Sequence, residues 1–281
     1  MKAMHIRPPA VSGLFYPSDP TILTLDVDTL LEEAPTPALP GTPIALVAPH
    51  AGYAYSGPTA AAAYAALRKR PFRTAVIVAP SHREHFHGIS VYDGDAYRTP
   101  LGLINVDIAL REKLLAYKGM IKSSAMGHRD EHAVEVHLPF IQRINPDAKI
   151  LPIVMGDQRP EYCRLLGDAL AAISGDASTV LIASSDLSHF HPGSEARTLD
   201  AVAARHLSEL QPMRLLDDVA HARCEACGAG PVAAGMTAAL QLGVVRSTIL
   251  HQCHSGDVTG DESRVVGYVS AALTREGAPH E

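Results

Sequence analysis

The chain has 281 residues, 47% of them hydrophobic and 19% charged, which is the balance of a folded globular protein and not of a disordered one. Its formal net charge is −6, from 24 Lys plus Arg against 30 Asp plus Glu, with no basic run; this argues against nucleic acid as a partner, since phosphate neutralisation needs a clustered positive face. The apolar runs, such as residues 60–67, fall far short of the roughly 20 residues of a membrane span, and the N-terminus lacks an apolar signal core, so a cytoplasmic protein without membrane contact is expected.

In chain order, the pattern predicts an amphipathic helix over 22–31, then a proline-bearing stretch at 33–43. That stretch is read as a surface loop, because the 32 residues before it cannot build a core alone. A strand at 44–48, an Ala-rich helix at 57–70 and a strand at 74–79 follow. A helix at 107–117, capped by Asn105 or Asp107, leads to a strand at 149–155, a helix at 160–173 and a strand at 179–183. Helices at 193–210 and 228–242, a strand at 265–273 and a frayed tail at 275–281 complete the chain. Strands alternating with helices imply an α/β fold with a mainly parallel central sheet covered by helices on both faces, in a single domain spanning 1–281.

Histidine is over-represented: 15 residues, roughly double an average composition. Three predicted strands each release one at the carboxyl end, His50 after 44–48, His82 after 74–79 and His189 after 179–183. Parallel strands place those ends on one side of the sheet, where open α/β folds bind ligands. Three neutral imidazoles suit Fe, Cu, Zn or Ni and leave a coordination position open, as a catalytic site requires.

Other residues offer competing or supporting chemistry. Four cysteines are too few for a disulfide framework. Cys227 is read as the start of a helix, where the dipole favours a reactive thiolate, and Cys163 as a buried hydrophobe. Cys224, Cys227 and His254 also approximate a structural zinc site. On a helix over 127–139, Glu131 and Glu135 would share a face with His132 beside Glu135, and these carboxylates, like Asp186, would orient ligating imidazoles. His85 and His87 are read as solvent-facing. There is no G-x-G-x-x-G, P-loop or G-x-S-x-G, so nucleotide binding and serine hydrolysis have no support.

The segments PAVSGLFYP (9–17), APHAGYAYSG (48–57), APSH (79–82), YRTPLG (97–102), DEHAVEVHLPF (130–140), SSDLSH (184–189) and ACGAGP (226–231), in order over nearly the whole chain, resemble the Memo family. Its prokaryotic members are also called AmmeMemoRadiSam system protein B. The resemblance implies a fold similar to the catalytic subunit of class III extradiol ring-cleavage dioxygenases, and a functional link to AMMECR-type and radical SAM proteins. It marks His50, His82 and His189 as metal-binding and Cys227 as the cysteine of the same pocket. An extradiol iron site needs a carboxylate ligand, and Glu225 is the residue here that would substitute.

Two functions follow as expectations. In the first, a metal-dependent redox enzyme, His50, His82 and His189 hold Fe(II) or copper, with zinc compatible, Cys227 is redox-active, and Asp186 or His132 handles protons. In the second, the same crevice binds a peptide or small molecule without turnover. A homodimer is compatible with either.

Overall fold

The computed structural model describes residues 4–35, 38–68, 70–117, 119–176 and 178–276. The strands are β1 (Ile6–Arg7), β2 (Thr42–Ala48), β3 (Thr74–Pro80), β4 (Ile89–Val91), β5 (Ala96–Thr99), β6 (Gly102–Asn105), β7 (Ile121–Ser123), β8 (Lys149–Met155), β9 (Thr179–Ser184), β10 (His189–His191), β11 (Arg246–His254) and β12 (Val265–Arg275). The helices are α1 (Pro20–Glu33), α2 (Tyr53–Ala65), α3 (Ile108–Leu115), α4 (Leu138–Ile144), α5 (Pro160–Ile173), α6 (Gly193–Ser208), α7 (Pro212–Ala220), α8 (Ala229–Gln241) and the short α9 (Ser255–Thr259).

Strands β2, β9, β3 and β8 lie side by side and parallel at the centre of the large sheet. Their side chains alternate between two cores, the signature of a sheet buried on both faces. Ala75, Ile77 and Ala79 of β3, with Val180 and Ile182 of β9, join Leu23, Val27 and Leu31 of α1, the alanines of α2 and Phe140 of α4. Val76 and Val78, with Leu181 and Ala183, join Leu110 of α3, Leu166 of α5, Leu207 of α6, Leu215 of α7 and Val232 of α8. The α/β fold with helices on both faces is therefore present.

The sheet is mixed, however, and not mainly parallel. Strand β12 runs antiparallel to β2, with β11 and β10 antiparallel to it, and β4 is antiparallel to β8. The link from β11 to β12 is about ten residues with one short helix, too short for a crossover, so the chain must double back. A second, three-stranded sheet of β1, β5 and β6 was not expected.

Element ends differ in instructive ways. Asp107, not Asn105, caps α3, its carboxylate accepting the Leu110 N–H at 3.0 Å. Helix α2 starts at Tyr53, four residues before the expected Gly57, and carries Pro58 inside it. The segment before Leu138 is turns and one 3-10 turn rather than a helix, so Glu131 and Glu135 do not share a helical face. Residues 36 and 37 of the proline-bearing stretch, residue 69 of the expected helix and 277–281 of the tail lie outside the described residues. Among the described residues no helix is long and apolar enough to cross a membrane.

Candidate metal centre

The parallel strands end on one side, and the chain leaving β2 and β3 delivers His50 and His82 there. The irregular segment before α4 crosses the same edge and adds His132. One donor atom of each lies within 4.8 Å of the others. The ring centroids are 5.0 Å apart for His50 and His82, 5.4 Å for His50 and His132, and 4.7 Å for His82 and His132. Metal–nitrogen bonds of about 2 Å put ligand atoms roughly 3–4 Å apart, so small side-chain rotations close this group around one ion.

The protein fixes the tautomers from behind. Ser184, the last residue of β9 and fully buried, donates its hydroxyl proton to the Ala133 carbonyl at 2.7 Å. Its oxygen is then only an acceptor, so both imidazoles touching it must donate: His50 through Nδ1 at 2.7 Å and His137 through Nε2 at 2.8 Å. His50 consequently presents the Nε2 lone pair. His82 donates Nδ1–H to Glu131 Oε1 at 3.0 Å, the carboxylate–histidine arrangement of metal sites, and likewise presents Nε2. The same carboxylate accepts the backbone N–H groups of His82, His132 and Ala133. These bonds hold Glu131 down at about 2 against the upward push of burial. His132 Nδ1 is buried without a hydrogen bond; Glu131 Oε1 is 3.2 Å away but off the direction such a bond requires.

Burial favours the neutral form of His50, His132 and His137. It pushes His50 far below its ordinary value, His132 down to about 4 and His137 to about 3, each helped by neighbouring histidines. Cys227 completes the centre, its Sγ 3.1 Å from His50 Nε2. Its backbone N–H donates to the Asp186 carbonyl and its sulfur accepts the Asp186 N–H at 3.3 Å. Gly228 follows because α8 begins against the end of β9: a Cβ there would meet the Ser184 carbonyl oxygen at 2.0 Å. The Asp186 carboxylate accepts the His50 N–H at 2.7 Å and lies 3.9 Å from His50 Nε2; burial pushes it up to about 7. The donor set of imidazoles, one thiol and one adjacent carboxylate suits iron, copper or zinc.

A family model described as Memo-like protein matches residues 7–272. The chain belongs to the Memo family. It is 38% identical to a MEMO1 family protein of Methanocaldococcus jannaschii, the match covering 95% of this chain and 99% of that one. A MEMO1 family protein of Aquifex aeolicus is 36% identical over 95% of this chain and 98% of its own. Among solved structures, an uncharacterized protein of Escherichia coli K12 superposes with a TM-score of 0.52 at 16% identity, over 82% of this chain and 98% of that one, a likeness of fold alone.

In this Memo-family chain the residues singled out from sequence fall into three groups. His50, His82, His132, Cys227 and Asp186 come together. His189 flanks them: its Nδ1–H donates to the Leu187 carbonyl at 2.7 Å, which frees Nε2, but it stands outside the tight group. Glu225 does not enter the centre as a carboxylate; it accepts the His189 N–H at 2.9 Å and pairs with His191 Nε2 at 2.8 Å, holding β10 in place.

Other expectations are corrected. The helix expected to start at Cys227 starts at Ala229 with Gly228 as its cap, so Cys227 precedes it, and burial, then the Asp186 carboxylate, pushes the thiol up. Cys224 is buried among apolar side chains of the second core, and Arg197 and Asp257 take up His254, so Cys224, Cys227 and His254 are not gathered. Glu135 pairs with buried Arg7 instead of orienting an imidazole. His85 and His87 are exposed and Cys163 buried. Ser184 was missed altogether, and Glu131 was placed on a helix it does not occupy.

Proposed function

We propose that this Memo-family protein binds a redox-active ion, iron or copper, at His50, His82 and His132 with Cys227 beside them, and uses it for redox or oxygen chemistry on a small molecule. His189 and Asp186 border the same space. The carrying observation is the group of three imidazole donors within 4.8 Å, two of them with Nδ1 anchored so that Nε2 faces the centre. When bound, such an ion would supply Lewis acidity and electron transfer at a position the protein ligands leave open. The chain's own residues hold the ligands in place. Ser184 and Glu131 set tautomer and ring direction, and the Asp186 carboxylate fixes the His50 backbone while keeping an oxygen near Nε2 for proton transfer. The resemblance to extradiol dioxygenases fits this reading, with Asp186 rather than Glu225 as the nearby carboxylate.

The test is metal analysis of the full chain after reconstitution with Fe(II), copper or zinc, alongside His50→Ala and His82→Ala. One tightly held ion per chain, lost in both variants while they stay folded, and oxygen uptake with iron or copper only, is the expected result. Metal content independent of both histidines overturns it; a folded, metal-indifferent protein that still binds ligand is the binding module.

A further inference from the structure

Strand β11 carries a cluster that the metal centre does not use. The β11–β12 register shifts between Ile249 and His251, leaving Leu250 as the extra residue of a bulge. Ile249, opposite Ala271, still faces the second core. Past the bulge, His251 lies opposite Ser270 and Cys253 opposite Tyr268, on the face covered by α2. Without the extra residue, the alternation of the strand would turn both toward the second core.

Thr59 of α2, fully buried, sits between the two, its Oγ1 2.8 Å from His251 Nδ1 and 3.1 Å from Cys253 Sγ. A hydroxyl has one proton to give, and an imidazole nitrogen is a far better acceptor than sulfur, so Thr59 donates to Nδ1 and accepts the thiol S–H. Sulfur, hydroxyl and imidazole thus form a line along which a proton can leave the thiol. Burial holds His251 below its ordinary value, so it is neutral and able to take that proton, and the Asp257 charge favours the imidazolium as it forms. Burial raises the Cys253 thiol, which therefore reacts only when its proton is removed during attack.

The other cysteines lack this equipment. Burial pushes Cys163 and Cys224, both closed to solvent, up to about 12 and about 11, and burial and the Asp186 carboxylate oppose ionisation of Cys227. Cys253 is partly exposed. Ser270, opposite His251 and on the same face, is fully buried, and its hydroxyl has no partner among the described residues. An unpaired buried hydroxyl calls for a small guest that both donates and accepts hydrogen bonds.

We propose that Cys253 is a peroxide-oxidation site, with Thr59 and His251 relaying the thiol proton and Ser270 holding the peroxide. The sulfur attacks one oxygen of hydrogen peroxide, and the S–O bond forms as the O–O bond breaks. The thiol proton passes to Thr59, whose own proton passes to His251, and the departing hydroxide takes a proton from the imidazolium to leave as water. Cysteine is oxidised by two electrons to the sulfenic acid, and the peroxide is reduced. None of the four residues belongs to the metal centre, so the site stands whatever that centre binds.

The full-length protein, with a chelator present to suppress metal-driven oxidation, is treated with hydrogen peroxide and dimedone, and the adducts are quantified at each cysteine by mass spectrometry. Sulfenic acid at Cys253 is expected, forming at least about 10-fold faster than at Cys163 or Cys224, and slowed about 10-fold or more in Thr59→Val and in His251→Gln. Thr59→Ser, which keeps the hydroxyl, should stay near the wild-type rate, a rescue that loss of packing would not give. No adduct at Cys253, no advantage over Cys163, an unchanged rate in either variant, or Thr59→Ser as slow as Thr59→Val overturns the proposal. His251 is partly exposed, so His251→Gln keeps the fold and decides the matter should Thr59→Val fail to fold.

Discussion

Replacing Ser184 by Ala removes one oxygen and strands three polar groups at once. In the native protein that hydroxyl satisfies the Ala133 carbonyl, His50 Nδ1–H and His137 Nε2–H, all in surroundings closed to water. A buried polar group left unpaired costs about 1–3 kcal/mol. Moving its proton to Nδ1 brings His137 no relief, because that nitrogen is buried without a partner too. Three stranded groups put the loss at about 3 kcal/mol or more. Metal affinity should fall about 10- to 100-fold, the usual effect of removing the group behind a ligating imidazole, because His50 is then free to carry its proton on Nε2. Urea unfolding of the metal-free variant reads the first quantity and competition with a chromogenic chelator the second. A variant that unfolds as late as the wild type, or holds metal as tightly, would refute the tautomer argument.

Three further perturbations follow from other contacts. Gly228→Ala drives a methyl into the Ser184 carbonyl and should cost about 3 kcal/mol by overpacking while displacing Cys227, visible as a lower urea midpoint and weaker metal retention. Arg7→Met leaves the Glu135 carboxylate, buried and otherwise held by the Ala10 and Val11 N–H groups and the Tyr16 hydroxyl, without its counter-charge, and chemical denaturation should report a loss of about 3 kcal/mol or more. For Asp107, burial pushes the carboxyl up, but the Thr74 hydroxyl and Leu110 N–H more than offset it, so the folded value lies below the ordinary 3.8. That stability is fully present above 3.8 and is lost as pH falls through the folded value. Asp107→Asn, which keeps a competent helix cap, should flatten the acid limb of the stability–pH curve; an unchanged limb contradicts the assignment.

The strand ends were readable because β2, β3 and β9 are short apolar runs that stop abruptly at polar residues, and His50 and His82 sit just past those stops. Strand direction was not readable. A strand flanked on both sides, such as β12, shows the same continuous apolar run whichever way it points, and strands of two to four residues such as β1, β4 and β7 give no period at all. His132 reaches the centre from turns, where no periodicity aims a side chain, so the sequence offers it as a neighbour of Glu135 and a proton-handling group but not as a ligand. Ser184 carries no charge and ligates nothing. Its part lies wholly in three contacts with residues 47 to 134 positions away, which no local pattern encodes.

The central claim is that one ion sits where the chains leaving β2 and β3 meet the segment before α4. An anomalous difference map from crystals of the loaded protein, recorded on both sides of the metal's absorption edge, tests it most directly. The account predicts a single peak about 2 Å from His50 Nε2 and His82 Nε2, with the Cys227 sulfur adjoining. A peak beside Cys224 or His254, with none at the strand ends, would contradict it.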